Sequence, residues 1–173
     1  MFVAGGPGGP RFGEWVARLG EHCEPLGERP APDHRVLYLD ARSVLTAADS
    51  PRLRQVMERS RRHGALTSLE LGPVDWIRAR GGSRTAYQLA AIQPDILFAG
   101  EEAAAELAAP LGGIASIAVL VGDGGCVVHG RRVAGGPGAD LDPERFAAAF
   151  CVALLDGAAP VEAAGRALLV TDP

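Results

Sequence analysis

HRVLYLD (34–40) and ALTSLEL (65–71) are two short apolar runs that bracket SPRLRQVMERSRRHG (50–64), and this stretch decides the fold class. Each bracketing run has strand length and no helical period. The segment between them carries Leu53, Val56 and Met57 on one helical face. Ser50 as N-cap, Pro51 at the first helical position and Gly64 as the stop mark its ends. A strand, a helix of this length and a second strand form a right-handed crossover between parallel neighbours. Such a sheet is covered on both faces. Arg59, Arg61, Arg62 and His63 crowd the last helical turn, where cations suit the negative end of the dipole, and they read as a solvated helix end.

The alternation continues toward the C-terminus. The pattern predicts a helix over 83–92, a strand over 96–99, a short alanine-rich helix over 101–108 and a strand over 114–121. At Gly122-Asp123-Gly124-Gly125 the rhythm changes: a tight Asp-Gly turn joins SIAVLV to CVVHG as a hairpin. Two helices close the chain, 143–155 and 160–169, each with proline in its first turn and with Gly157 between them. Toward the N-terminus, MFVAGGPGGP is expected to hold neither helix nor strand. Phe12, Trp15, Val16 and Leu19 form one amphipathic stripe ending at Gly20, and the proline-rich stretch 21–33 reads as a linker. The expected division is therefore 1–33, a Gly/Pro-rich segment with one amphipathic helix, and 34–173, an α/β domain.

Composition narrows the function. The chain has 173 residues, enough for one ordinary domain core. Its 17 basic against 21 acidic residues give a formal charge of -4, which argues against a general nucleic-acid binder. Every basic residue is arginine, and the chain has neither lysine nor asparagine. A Walker-type phosphate lysine, a Schiff-base lysine and an asparagine ligand are thereby excluded. No apolar run reaches the roughly 20 residues of a bilayer span, and the start lacks the pattern of a signal peptide. Three cysteines, Cys23, Cys126 and Cys151, suit a reducing compartment. The expectation is a cytoplasmic protein without membrane contact.

Several tempting motifs fail on geometry. Gly5-Gly6-Pro7-Gly8-Gly9-Pro10 suggests a phosphate loop, but its prolines remove amide donors, no strand is expected before it and no lysine follows. Cys126 and His129, three apart on an expected strand, point to opposite faces and cannot share a metal. His22-Cys23 has no partner at ligand spacing. No metal site is expected.

Taken in order, the segments from His34 to Pro173 resemble the C-terminal half of a PfkB (ribokinase-like) carbohydrate kinase. RRHGALTSLELGPVDWI resembles the family's second strand of this half, with Glu70 where an aspartate is common. IQPDILFAGEEAAAEL resembles its "a-D-i-l-f-a-N-x-x-E-a" segment. SIAVLVGDGGCVV resembles its "v-v-v-t-x-G-x-x-G-a" turn. FAAAFCVALLDGAAPVEAAGRALL resembles the helix pair after the Gly-Ala-Gly-Asp signature. The resemblance implies a ribokinase-like (Rossmann-like) three-layer α/β sandwich, truncated at its N-terminal side, with a mostly parallel sheet, a C-terminal hairpin and a helix pair. It also implies ATP and magnesium as cofactors, and phosphoryl transfer to a sugar or nucleoside hydroxyl. Gly122, Asp123 and Gly125 fall on the nucleotide-binding turn.

Alignment back from Phe146 puts Leu141-Asp142-Pro143-Glu144 at the signature tetrad, with Glu144 in the position of the catalytic base. Pro143 lacks the N–H that an anion hole would use. Asp140, Asp142 and Glu144 put three acids where phosphate oxygens should sit, each repelling by roughly 1 kcal/mol at ~4 Å even in water. Asp142-Pro143-Glu144 reads equally as a helix N-cap, first-turn proline and first-turn acid. A shorter gap would instead place Gly138-Ala139-Asp140 at the signature. The family's Asn-x-x-Glu falls on Gly100 and Ala103, and residues 1–33 show no counterpart of the sugar-binding half. The sequence thus predicts a PfkB-type kinase relative that is catalytically impaired or inactive, a pseudokinase. The alternative is a scaffold without catalysis that binds a nucleotide, forms a homodimer or engages a protein partner.

Overall fold

Side-chain alternation along the third strand explains why the sheet is covered on both faces. In the computed structural model, which describes residues 1–27, 33–46, 50–135 and 141–170, Val36 and Tyr38 face one core while Leu37 and Leu39 face another. All four are at most 1% exposed, as a period-2 strand between two helical layers requires. Ile96 and Phe98 against Leu97 and Ala99 repeat the pattern.

Among the described residues eight strands form one sheet: β1 (Phe2–Ala4), β2 (Cys23–Pro25), β3 (Val36–Asp40), β4 (Leu66–Glu70), β5 (Ile96–Gly100), β6 (Ile117–Gly122), β7 (Gly125–Val128) and β8 (Arg131–Ala134). Their order is β2-β1-β3-β4-β5-β6-β7-β8. The first six are parallel, and β7 and β8 return antiparallel. Helix α1 (Gly9–Arg18) lies on one face with α7 (Pro143–Leu155) and α8 (Pro160–Leu168). Helices α2 (Ala41–Leu45), α3 (Ser50–Arg62), α4 (Val74–Arg80), α5 (Gly82–Ile92) and α6 (Glu101–Glu106) cover the other. The chain leaves β1 toward β2 on one face and enters β4 from β3 on the other, so the winding reverses between β1 and β3. This is the doubly wound, ribokinase-like arrangement, and the expected α/β fold class is observed.

The N-terminal expectations need correction. Phe2–Ala4 is a strand, pairing with β2 on one side and β3 on the other, and all three residues are buried. A three-residue strand is too short to show a period; its neighbours supply the ladder that local sequence does not. Helix α1 begins inside the Gly/Pro run, because Pro10 sits in the first turn, where no N–H is needed. The expected linker holds β2, so the sheet runs on past residue 34 to the N-terminal side. Helices α2 and α4 and strand β8 were not anticipated. Asp40 caps α2 by accepting from the amides of Arg42 and Ser43 at 3.0 and 2.9 Å. Helix α3 already includes Ser50, so its capping residue lies outside the described residues. His129 sits at φ 50° in the β7–β8 turn, past the strand that was expected to carry it.

Candidate functional site

The carboxyl ends of β3 to β6 open into a cleft of about 1160 Å³. Open parallel sheets present ligand sites at this edge, because the loops there diverge and the helix N-termini point inward. Tyr38 and Glu70 form its wall on the β3–β4 side, and Phe98 lies at its base. Gly100, Glu101, Glu102 and Ala103, at the start of α6, form the opposite wall with Gly122, Asp123 and Gly124 of the hairpin. Leu141 and Pro143 close the end nearest α7.

Glu70 is the best-held polar group here. The Tyr38 hydroxyl donates to Glu70 Oε2 at 2.5 Å. The Tyr38 ring is fully buried and stacks on Phe12 of α1, centroids 3.9 Å apart and planes 7° from parallel. Burial pushes the Glu70 carboxyl above the ordinary carboxylate range. The Tyr38 hydrogen bond opposes this, while the charges of Glu144, Asp40 and Asp142 add to it. The Tyr38 hydroxyl is held well above its usual value, first by burial and then by the neighbouring Glu70 charge. The signal for Glu70 in the sequence was a carboxylate at the carboxyl end of an apolar strand, and it was not taken up as a site residue.

The N-terminus of α7 is capped by its own chain. Asp142 Oδ1 accepts from the Arg145 amide at 2.9 Å, and the Asp142 carbonyl takes the Phe146 amide at 3.0 Å. Pro143 contributes no donor. The other oxygen of Asp142 pairs with Arg11 of α1, whose guanidinium also lies 3.8 Å from Glu144 Oε2. Glu144 is not among the cleft-lining residues; it lies near Arg11, and a Cβ on Gly8 would meet both Glu70 Oε2 at 3.1 Å and Glu144 Oε1 at 3.4 Å, so the two carboxylates are neighbours. Gly122 and Asp123 do line it. Gly125, at φ 158°, packs instead against the β8 backbone, leaving no room for a side chain. A Cβ on Gly122 would meet only the end of the exposed Glu101 side chain, which can swing aside. The alternative signature at 138–140, with Asp140, falls outside the described residues.

A bound triphosphate does not fit these groups. Among the described residues the cleft lining offers four carboxylates, Glu70, Glu101, Glu102 and Asp123, and no arginine or histidine, and the chain has no lysine. Of the first-turn amides of α7 that lack an intrahelical partner, Pro143 has none to offer and that of Arg145 is already bonded to Asp142 Oδ1. Among the described residues no group of three or more His, Cys, Asp or Glu side chains converges on a metal position. Cys126 and Cys151 are buried free thiols, pushed up by burial to about 11 and about 12. No described helix is long and apolar enough to cross a membrane.

Sheet order, two helical layers and a cleft at the strand ends define a doubly wound α/β protein of the ribokinase-like fold. Solved structures sharing it include a PfkB protein, an adenosine kinase, a ribokinase and a hydroxyethylthiazole kinase. A PfkB protein from Polaromonas sp. JS666 superposes with a TM-score of 0.60 at 24% identity, covering 79% of this chain and 52% of its own. Adenosine kinase from Sinorhizobium meliloti gives 0.66 at 18% identity, covering 97% and 68%. Ribokinase II from E. coli, in complex with ATP and Mg2+, gives 0.57 at 12% identity, covering 76% and 49%. This chain therefore spans about half the length of the first and third. The adenosine kinase likeness, at 97% of this chain, reaches into residues 1–33, for which the sequence showed no counterpart. No protein-family model matches the chain, and no curated protein matches its sequence.

Proposed function

We propose that the chain is a PfkB-type carbohydrate kinase relative whose phosphoryl-transfer centre is impaired or inactive. The family reaction is ATP-dependent phosphorylation of a sugar or nucleoside hydroxyl. One observation carries the reading: Asp142 occupies the N-terminus of α7, where the transferring phosphoryl group would need free amides. Arg11, a cation beside that point, is paired with Asp142 as well. The test is Mg-ATP with a panel of sugars and nucleosides. No product above background is expected. Repeated turnover that vanishes in Glu144→Ala would overturn the impairment and restore Glu144 as the base.

Replacing Leu141-Asp142-Pro143-Glu144 with Gly-Ala-Gly-Asp supplies the missing donor and removes one acid. ATP affinity is expected to rise about tenfold or more, since each charge-assisted hydrogen bond is worth roughly 1.5–3 kcal/mol. Unchanged, undetectable ATP binding would reduce the likeness to one of fold alone.

A second reading, a dimerising or partner-binding scaffold without catalysis, is favoured by the sheet edges. Among the described residues no strand pairs with the outer side of β2 or of β8. Light scattering at tens of micromolar separates the two readings: a strict monomer argues against the scaffold.

A further inference from the structure

The cleft is one-signed, and the impaired phosphate site does not explain why. Among the described residues its charged lining groups are four carboxylates, from β4, the start of α6 and the hairpin, beside the Tyr38 phenol, and a wall of one charge focuses its field into the cavity. The neighbouring carboxylates outside it are accounted for. Asp142 and Glu144 share Arg11, and Asp40 is satisfied by the Arg42 and Ser43 amides and by the Ser43 hydroxyl at 2.6 Å. Glu70 is different. Its one hydrogen bond among the described residues comes from Tyr38 to Oε2, which leaves Oε1 without a donor and the charge without a cation. Solvent reaches Oε1, since the one buried side-chain polar atom without a partner among the described residues is Ser68 Oγ, so a cation entering the cleft meets this carboxylate directly. Its pKa is raised first by burial. The pair is also rigid, because Tyr38 is fully buried and clamped on Phe12. Phe98, Val121 and Leu141 give the same cavity an apolar side.

We propose that the cleft binds a small molecule carrying a protonated amine on an apolar body, with Glu70 receiving the ammonium. The inference rests on the reading that the cleft at the strand ends is the ligand site. It does not depend on the state of the α7 terminus. A cavity of about 1160 Å³ has room for such a ligand beside the aromatic base.

Calorimetric titration of the full chain near neutral pH with three matched probes tests this: 2-phenylethylamine, 2-phenylethanol and 3-phenylpropionate. Saturable binding of the amine is expected, at least tenfold tighter than the alcohol, with no detectable heat from the acid. Glu70→Gln keeps the shape and the Tyr38 contact; it should weaken the amine about tenfold and leave the alcohol unchanged. If that variant does not fold, the amine-to-alcohol ratio on the unaltered protein decides alone. Equal affinities, tighter binding of the acid, no binding of any probe, or an amine affinity unmoved by Glu70→Gln would each overturn the proposal. Mg-ATP titrated alongside reports separately on the phosphate site: ATP binding would contradict the impairment without touching the amine result.

Discussion

Tyr38 and Glu70 are diagonal neighbours across two parallel strands. Tyr38 pairs in register with Ser68, and Glu70 with Asp40. The tyrosine hydroxyl reaches along the same face to Glu70 Oε2 at 2.5 Å. Parallel register thus places a buried phenol under a carboxylate at the mouth of the cleft, where loops alone could not hold one so firmly.

Stability should depend on pH through this pair. Glu70 has a folded-state pKa raised by burial first, so the folded chain keeps a proton that the unfolded chain releases at about pH 4.3. Its contribution is complete below that ordinary value and is lost as pH rises through the raised one. Urea unfolding from about pH 4 to pH 8 should therefore show wild type losing stability relative to Glu70→Gln, then levelling off. A pH-independent difference would mean the two states share one pKa.

Removing the Tyr38 hydroxyl should push Glu70 further up, because that hydrogen bond is what lowers it. Tyr38→Phe is expected to cost about 1–2 kcal/mol of stability and to move the Glu70 transition toward higher pH. NMR titration of the carboxyl carbon reads the shift. Movement toward lower pH would contradict the assignment.

The α7 cap predicts a graded series. Asp142→Ala should destabilise by about 1 kcal/mol, and Asp142→Asn by a few tenths, since asparagine caps almost as well. Arg11→Met should cost less than about 1 kcal/mol, because its ion pair is largely exposed. Chemical denaturation of the three variants checks the order. Equal losses for Ala and Asn would show that charge, not capping, holds the helix end.

Gly6 and Gly20 share a positive φ, 86° and 84°, but not their surroundings. A Cβ on Gly6 would meet Asp40 Cβ at 3.0 Å, whereas one on Gly20 meets nothing within 4 Å. Gly20→Ala should cost about 1 kcal/mol of backbone strain, and Gly6→Ala about 2–3 kcal/mol, because it also forces β1 away from β3. Thermal melts distinguish them. Indistinguishable losses would show that the loop yields.

Phe146 is fully buried with ring contacts to Phe98 at 6.1 Å and Phe150 at 6.0 Å. Phe146→Ala should destabilise by about 3–5 kcal/mol. A loss under about 1 kcal/mol would mean that the helical layer carrying α7 repacks freely.

From β3 onward the longer elements were legible because each repeats one period long enough to read, while the short α2, α4 and β8 were not. Strand β3 alternates between two cores, α3 carries Leu53, Val56 and Met57 on one face, and the Asp-Gly turn announces the hairpin. The capping reading of Asp142-Pro143-Glu144 is the geometry observed at α7. Strands β1 and β2 were hidden, three residues each and set among glycines and prolines, because their stability comes from neighbours rather than from their own pattern.

By itself, then, the chain's local chemistry determined its α/β class, the cap of α7, the glycine stop of α3, the absence of lysine from any phosphate site and the missing amide at Pro143. Those are properties of single residues and of short periods. Only the tertiary structure decided that the Gly-rich N-terminus is an interior strand and its loop, that Glu144 pairs with Arg11 beside Glu70, and that Glu70 faces the cleft without a cation among the described residues. Each of these depends on which strand lies beside which. That choice is made by burying two apolar faces at once, and no window of neighbouring residues contains it.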